Sequence, residues 1–146
     1  MNANAPQRAR PRGDRGASAM ELAILTPVLI LVLLAAVQFT LVYHARHVAL
    51  AAAQSGARVA RTDAGGGWQS AAEAKAAANV RQIGPRLIEG LSVRAGQSGD
   101  ERWVEVRGKA VQVMPGMKIN VTQRSQGPIE CFRPDVGSGT GCQGAP

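Results

Sequence analysis

The sequence predicts an α+β fold: a long N-terminal helix that crosses a membrane and continues beyond it, then a second helix and a small antiparallel sheet. Three observations carry this. From Leu22 to Tyr43 the chain runs 22 residues without Asp, Glu, Lys, Arg or His. At about 1.5 Å per residue that is about 33 Å of helix, against a hydrocarbon core of about 30 Å. Residues 45–61 then lack Pro and are dominated by Ala, the strongest helix former. After Gly90 apolar and polar residues alternate, the period of half-buried strands.

The N-terminal residues 1–16 form the first segment. They hold Arg8, Arg10, Arg12 and Arg15 against Asp14 and almost no large apolar side chain, so a disordered basic leader is expected. Arginines ahead of an apolar helix obey the positive-inside rule and place this end in the cytoplasm, with the C-terminal domain extracytoplasmic. The net charge of +7 is therefore no sign of a nucleic-acid partner: its densest part is this leader, and no aromatic residue stands among the arginines to stack on bases. An ordinary cleaved secretory signal fits poorly, because its apolar core spans about 7–15 residues. Ala51-Ala52-Ala53 mimics a cleavage site but lies beyond Arg46 and His47.

The membrane helix covers 17–43 and its helical extension 44–64, with Gly65-Gly66-Gly67 as the stop. Along the extension, Ala45, Ala49, Ala53 and Ala57 recur every four residues, with Gly56 and Ala60 beside them. Such a stripe lets a helix or sheet approach closely, although Ala-rich helix propensity alone would also produce it. A small external domain spans 65–130. In it, Trp68, Ala72, Ala76, Val80, Ile83 and Leu87 step by three or four and predict a second helix, interrupted at Gly84-Pro85 and ended by Gly90. The runs 91–95, 102–107, 110–113 and 118–122 then read as strands, separated at 97–100, Gly108-Lys109 and Pro115-Gly116.

The last segment, 131–146, holds the two cysteines. A single crossing puts Cys131 and Cys142 on the oxidising side, where a disulfide would close the Pro- and Gly-rich loop between them. Without C-x-x-C spacing they make neither a zinc nor a redox motif. His44 and His47 form an i, i+3 pair with no third ligand near in sequence, and read as residues of the membrane boundary. The chain offers no G-x-S-x-G, no phosphate loop and no dinucleotide fingerprint. No catalytic residue, metal ligand or cofactor is therefore expected.

Chemistry concentrates at Arg15-Gly16-Ala17-Ser18-Ala19-Met20-Glu21. Ser18 and Glu21 fit an S-x-x-E capping box at a helix start, where the macrodipole also favours a carboxylate. Capping requires neither Gly16 nor the small residues at Ala17 and Ala19. Gly16 followed five residues on by Glu21 resembles the processing site of type IV prepilins. The wider stretch, with Pro27 in the apolar run and Gly56-Ala-Arg-Val-Ala60 at its end, is similar to the TadE/TadG-like pseudopilin family of tight-adherence (Flp) pilus systems.

That resemblance implies a pilin-like external domain. It also implies cleavage between Gly16 and Ala17 by a prepilin peptidase at the cytoplasmic face. Glu21 would then be the fifth residue of the mature chain, its carboxylate free to meet the terminal amine of a neighbouring subunit. Pro27, which removes one helix hydrogen bond, would loosen a helix that must leave the bilayer, or is simply tolerated there. Gln38 would bond to another helix or be tolerated. Leu22 after Glu21, and the long domain behind the helix, point to a minor pseudopilin and not the main fibre subunit. The implied partners are the membrane, the prepilin peptidase, other minor pseudopilins, the major Flp-type pilin and the inner-membrane Tad assembly platform. A signal-anchored surface protein that keeps its leader and binds a ligand is the alternative; replacing Glu21 separates the two.

Overall fold

The computed structural model describes residues 14–62 and 66–130. Its elements are α1 (Asp14–Thr62), α2 (Trp68–Ile83), β1 (Ile88–Ser98), β2 (Glu101–Ala110) and β3 (Asn120–Pro128). The three strands form one antiparallel sheet in the order β1-β2-β3. The α+β class and the single long apolar N-terminal helix are as the sequence predicts. The leader before Asp14 and the segment carrying Cys131 and Cys142 lie outside the described residues.

The chain divides into two compact units at Ala36/Val37, within α1. In the first, every described side chain from Ser18 to Leu33 is exposed, among them Leu22, Ile24, Leu29, Leu31 and Leu33. A helix this long and apolar, with almost none of its surface covered by protein, meets the requirements for crossing a membrane.

The second unit has its own core. Val42, Ala45, Val48, Ala49, Ala52, Ala53, Ala57 and Ala60 of α1 meet Trp68, Ala72, Ala76 and Val80 of α2, and Ile88, Val104, Val106, Ala110 and Val121 of the sheet. The small stripe is a packing surface. A methyl group built on Gly56 would stand 2.8 Å from the Ala72 carbonyl oxygen, 3.0 Å from Ala76 Cβ and 3.1 Å from Val104 Cγ1. Small residues let the three elements converge at that point; a larger one would force them apart.

Three boundaries differ from the sequence reading. Helix α2 ends at Ile83 instead of running on toward Leu87, with the Gly84 N–H bonded to the Val80 carbonyl (2.9 Å). Pro85 biases the residue before it away from helical geometry, so Leu87 joins the core from a turn while Ile83 is half exposed. Gly90 does not end a helix. It sits in β1 at φ 61°, where the register with β2 slips between Glu89 and Ser92, and a glycine there gives a bulge its left-handed residue at no steric cost.

The third difference concerns strand number: four runs become three strands. Gly108-Lys109 is not a turn but part of β2, pairing with Val121 and Asn120 across β3. The missing side chain at Gly108 makes room for Ile88, which a Cβ would strike. Beyond Ala110 the predicted strand at 110–113 leaves the ladder, and β3 runs on to Pro128 through the polar Gln123-Arg-Ser-Gln. Its apolar pattern is short; the ladder with β2 holds the rest.

Candidate functional site

The residues that the sequence singles out lie along α1, whose start is earlier than expected. Asp14, Arg15 and Gly16 are already helical, so Ser18 is not the helix cap and the Ser18–Glu21 capping box does not mark the N-terminus. The Gly16–Ala17 bond therefore lies in helical backbone, not in an extended tail.

Glu21 is exposed one turn further on, followed by the apolar surface from Leu22 to Val37. An ionised carboxylate carried toward a bilayer centre costs about 3 kcal/mol, so Glu21 belongs at the mouth of the span. Pro27 interrupts the ladder without ending the helix, which continues to Thr62. Proline has no N–H, so the carbonyl one turn back loses its donor. Just before it, the Thr26 hydroxyl donates to the Leu22 carbonyl at 2.6 Å, a back-bond that bends helices slightly. Gly16, Ala17, Glu21 and Pro27 are thus spaced along one helix and not gathered into a pocket.

Gln38 is what the sequence reading misplaced. It is fully buried, and its partner is not another helix. Its Nε2 donates to the Val111 carbonyl (3.2 Å), and its Oε1 accepts from the Val113 N–H (2.7 Å) and the Met114 N–H (3.1 Å). One side chain thus supplies three bonds to the connection between β2 and β3, where strand pairing has stopped. An amide offers donor and acceptor together, which no apolar or charged residue does at this place. The only sequence signal was a lone amide in an apolar helix; nothing local named its partner 73 residues away.

Arg102, the other buried polar side chain among the described residues, ties the far end of the domain. Its guanidinium lies 4.3 Å from the centre of the Trp68 ring and donates to the Ala60 carbonyl and to Gln97 Oε1. It thereby joins the end of α1, the start of α2 and the β1–β2 hairpin. From α2, Glu73 Oε1 accepts the Ala95 N–H of β1 (2.9 Å), occupying a donor on the sheet's outer edge.

His44 and His47 are both exposed, and the His47 ring packs edge-on against Tyr43 at 4.3 Å. Among the described residues no group of three or more His, Cys, Asp or Glu side chains is placed to hold a metal ion. A shallow groove between α2 and β1 is lined by Ser70, Glu73, Arg81, Pro85 and Leu91.

The class defined by these features is an apolar single-helix segment continued into a small α+β domain. Within it, residues 16–58 match the family model described as TadE-like protein. The match begins at Gly16 and takes in Glu21, Pro27, Gln38 and most of the small stripe. Comparison with curated proteins and with solved structures gives no match.

Proposed function

We propose that this chain is a minor pseudopilin-like subunit, a non-catalytic structural and assembly component of a Tad (Flp-type) pilus or a related secretion apparatus. The observation that carries the reading is the similarity of residues 16–58 to the TadE-like model, in a helix with an exposed apolar face and an acidic residue at its mouth. The leader is removed between Gly16 and Ala17 by a prepilin peptidase, after the helix opens locally at that bond. Glu21 then meets the new terminal amine of a neighbouring subunit, an attraction that strengthens where water is scarce. Other minor pseudopilins, the major pilin and the inner-membrane platform are the partners, and the subunit sits in the cytoplasmic membrane with its domain outside.

N-terminal sequencing of the protein from cells with active peptidase tests the processing step: a start at Ala17 is expected, and an intact Met1 start removes it. Glu21→Gln separates assembly from mere anchoring. The assembly reading expects loss of pilus formation with membrane insertion unchanged, whereas a ligand-binding anchor would tolerate the amide.

A further inference from the structure

The meander has two connections, and they differ in chemistry. The β1–β2 hairpin turns at Gly99-Asp100, flanked by Gln97, Ser98 and Glu101, all exposed and polar. The β2–β3 connection, at the opposite end of the strands, reads Val111-Gln-Val-Met-Pro-Gly-Met117, without a charge between Lys109 and Lys118. Val113 and Pro115 are exposed, and Met114 and Met117 are partly so. A loop that faces water is ordinarily polar; this one presents apolar side chains outward.

Gln38 holds this loop against the helix at a definite height. From Leu22 to Val37 the helix runs 16 residues without a charge, exposed except at the half-buried Leu34 and Ala35, about 24 Å of rise against a core of about 30 Å. The missing length, about one turn, begins at Gln38. Along that turn the exposed residues are Phe39, Thr40 and Tyr43, with Phe39 and Tyr43 more than half exposed, while Gln38 and Val42 face the domain. On this turn the helix thus exposes an apolar face, and its Gln38 carries the loop. Tyr43, Arg46 and Lys118, all exposed, then fall where aromatic rings and cations sit at a membrane surface.

We propose that the β2–β3 connection is a second membrane contact, which seats the domain on the bilayer with Val113 and Pro115 in the boundary between headgroups and acyl chains. The occupant of this apolar patch is phospholipid, because Gln38 ties the loop to the turn of α1 that carries the exposed Phe39 and Tyr43. The three Gln38 bonds satisfy loop backbone groups that neither lipid nor a strand would satisfy, a requirement for irregular backbone at this depth. The inference rests on α1 crossing the membrane, and the experiment reports on that separately.

The full chain is placed in phosphatidylcholine bilayers with bromines on the upper acyl carbons, which quench tryptophan on contact. Single variants Leu29→Trp, Val113→Trp, Pro115→Trp and Ser98→Trp are compared with the parent, whose Trp68 and Trp103 supply a constant background. The added emission at positions 29, 113 and 115 is expected to fall about twofold, and that at position 98 to stay unchanged. Quenching at 29 with none at 113 or 115 overturns the loop contact while leaving the spanning helix intact. Absence of quenching at 29 overturns both. Pro115 and Val113 are both exposed, so a misfolded variant at one position leaves the other to decide.

Discussion

The two halves of α1 are both apolar and both helical, yet they obey opposite rules. Between Leu22 and Leu33 the residues are large, Leu, Ile and Val, and they are exposed; Leu29 is 58% accessible. Between Ala45 and Ala60 they are small, and Ala45, Ala49, Ala52, Ala53 and Ala60 are wholly buried. Burial within protein follows from how closely neighbouring backbones approach, and small residues permit the closest approach. Large apolar side chains with no protein around them imply a solvent that is itself apolar. Side-chain size along one helix thus reports which medium each half faces.

Exchanging the sizes should break the comparison, and most of all at Gly56. Gly56→Val drives a side chain into Ala72, Ala76 and Val104 and should cost the domain about 3 kcal/mol, read as a fall in the thermal midpoint of the full chain in detergent by circular dichroism. Leu29→Ala, which removes as many carbons in the exposed half as Gly56→Val adds, should change stability by less than about 0.5 kcal/mol. Equal effects at the two sites would refute the division.

Gln38 marks where one regime passes into the other. Gln38→Leu keeps the approximate size but removes the amide, leaving the Val111 carbonyl and the Val113 and Met114 N–H groups without their partner. A loss of about 2–4 kcal/mol is expected, with hydrogen exchange at Val113 and Met114 accelerating more than at β2 amides such as Val104. Retained protection at both loop amides would show that the side chain is not what holds them.

At the other end of the domain, Arg102→Met keeps much of the stem volume but removes the bond to the Ala60 carbonyl and the cation over Trp68. It should lower stability by about 1–3 kcal/mol, accompanied by a change in Trp68 fluorescence. The smallest effect belongs to the rim. Arg61 and Glu130 form a 3.3 Å ion pair with Glu130 half exposed, so Glu130→Ala should shift the midpoint by less than about 0.5 kcal/mol, and less still in high salt.

How far the molecule is legible from its residues depends on the range of the interaction. Trp68, Ala72, Ala76 and Val80 announce their helix face because period and burial are both local consequences of helical geometry. Gly84-Pro85 marks the end of α2 for the same reason, although Leu87 at the next step of the pattern suggests continuation. Gly108 looks like a turn residue until Ile88 is seen to occupy the space its side chain would fill. The Ala110–Val113 run alternates like a strand but leaves the ladder after Ala110: the Val111 N–H goes to the Leu87 carbonyl and the Val113 N–H to Gln38. Of the proposed site, Gly16, Glu21 and Pro27 are readable as a motif, while the helical state of Gly16 is not, because the helix already takes in Asp14 and Arg15.

By itself, the sequence determined the long apolar helix, its change from large to small residues, the second helix and the α+β class. These follow from side-chain volume, hydropathy and short periods, which act between near neighbours and need no knowledge of the fold. Only the tertiary structure decided that the small stripe is a packing surface, that three strands replace four runs, and that Gln38 belongs to a loop 73 residues away. The first depends on which elements pack against the stripe, and the other two on which backbone groups remain unpaired after the sheet forms; both are set by long-range contacts and invisible in any local pattern.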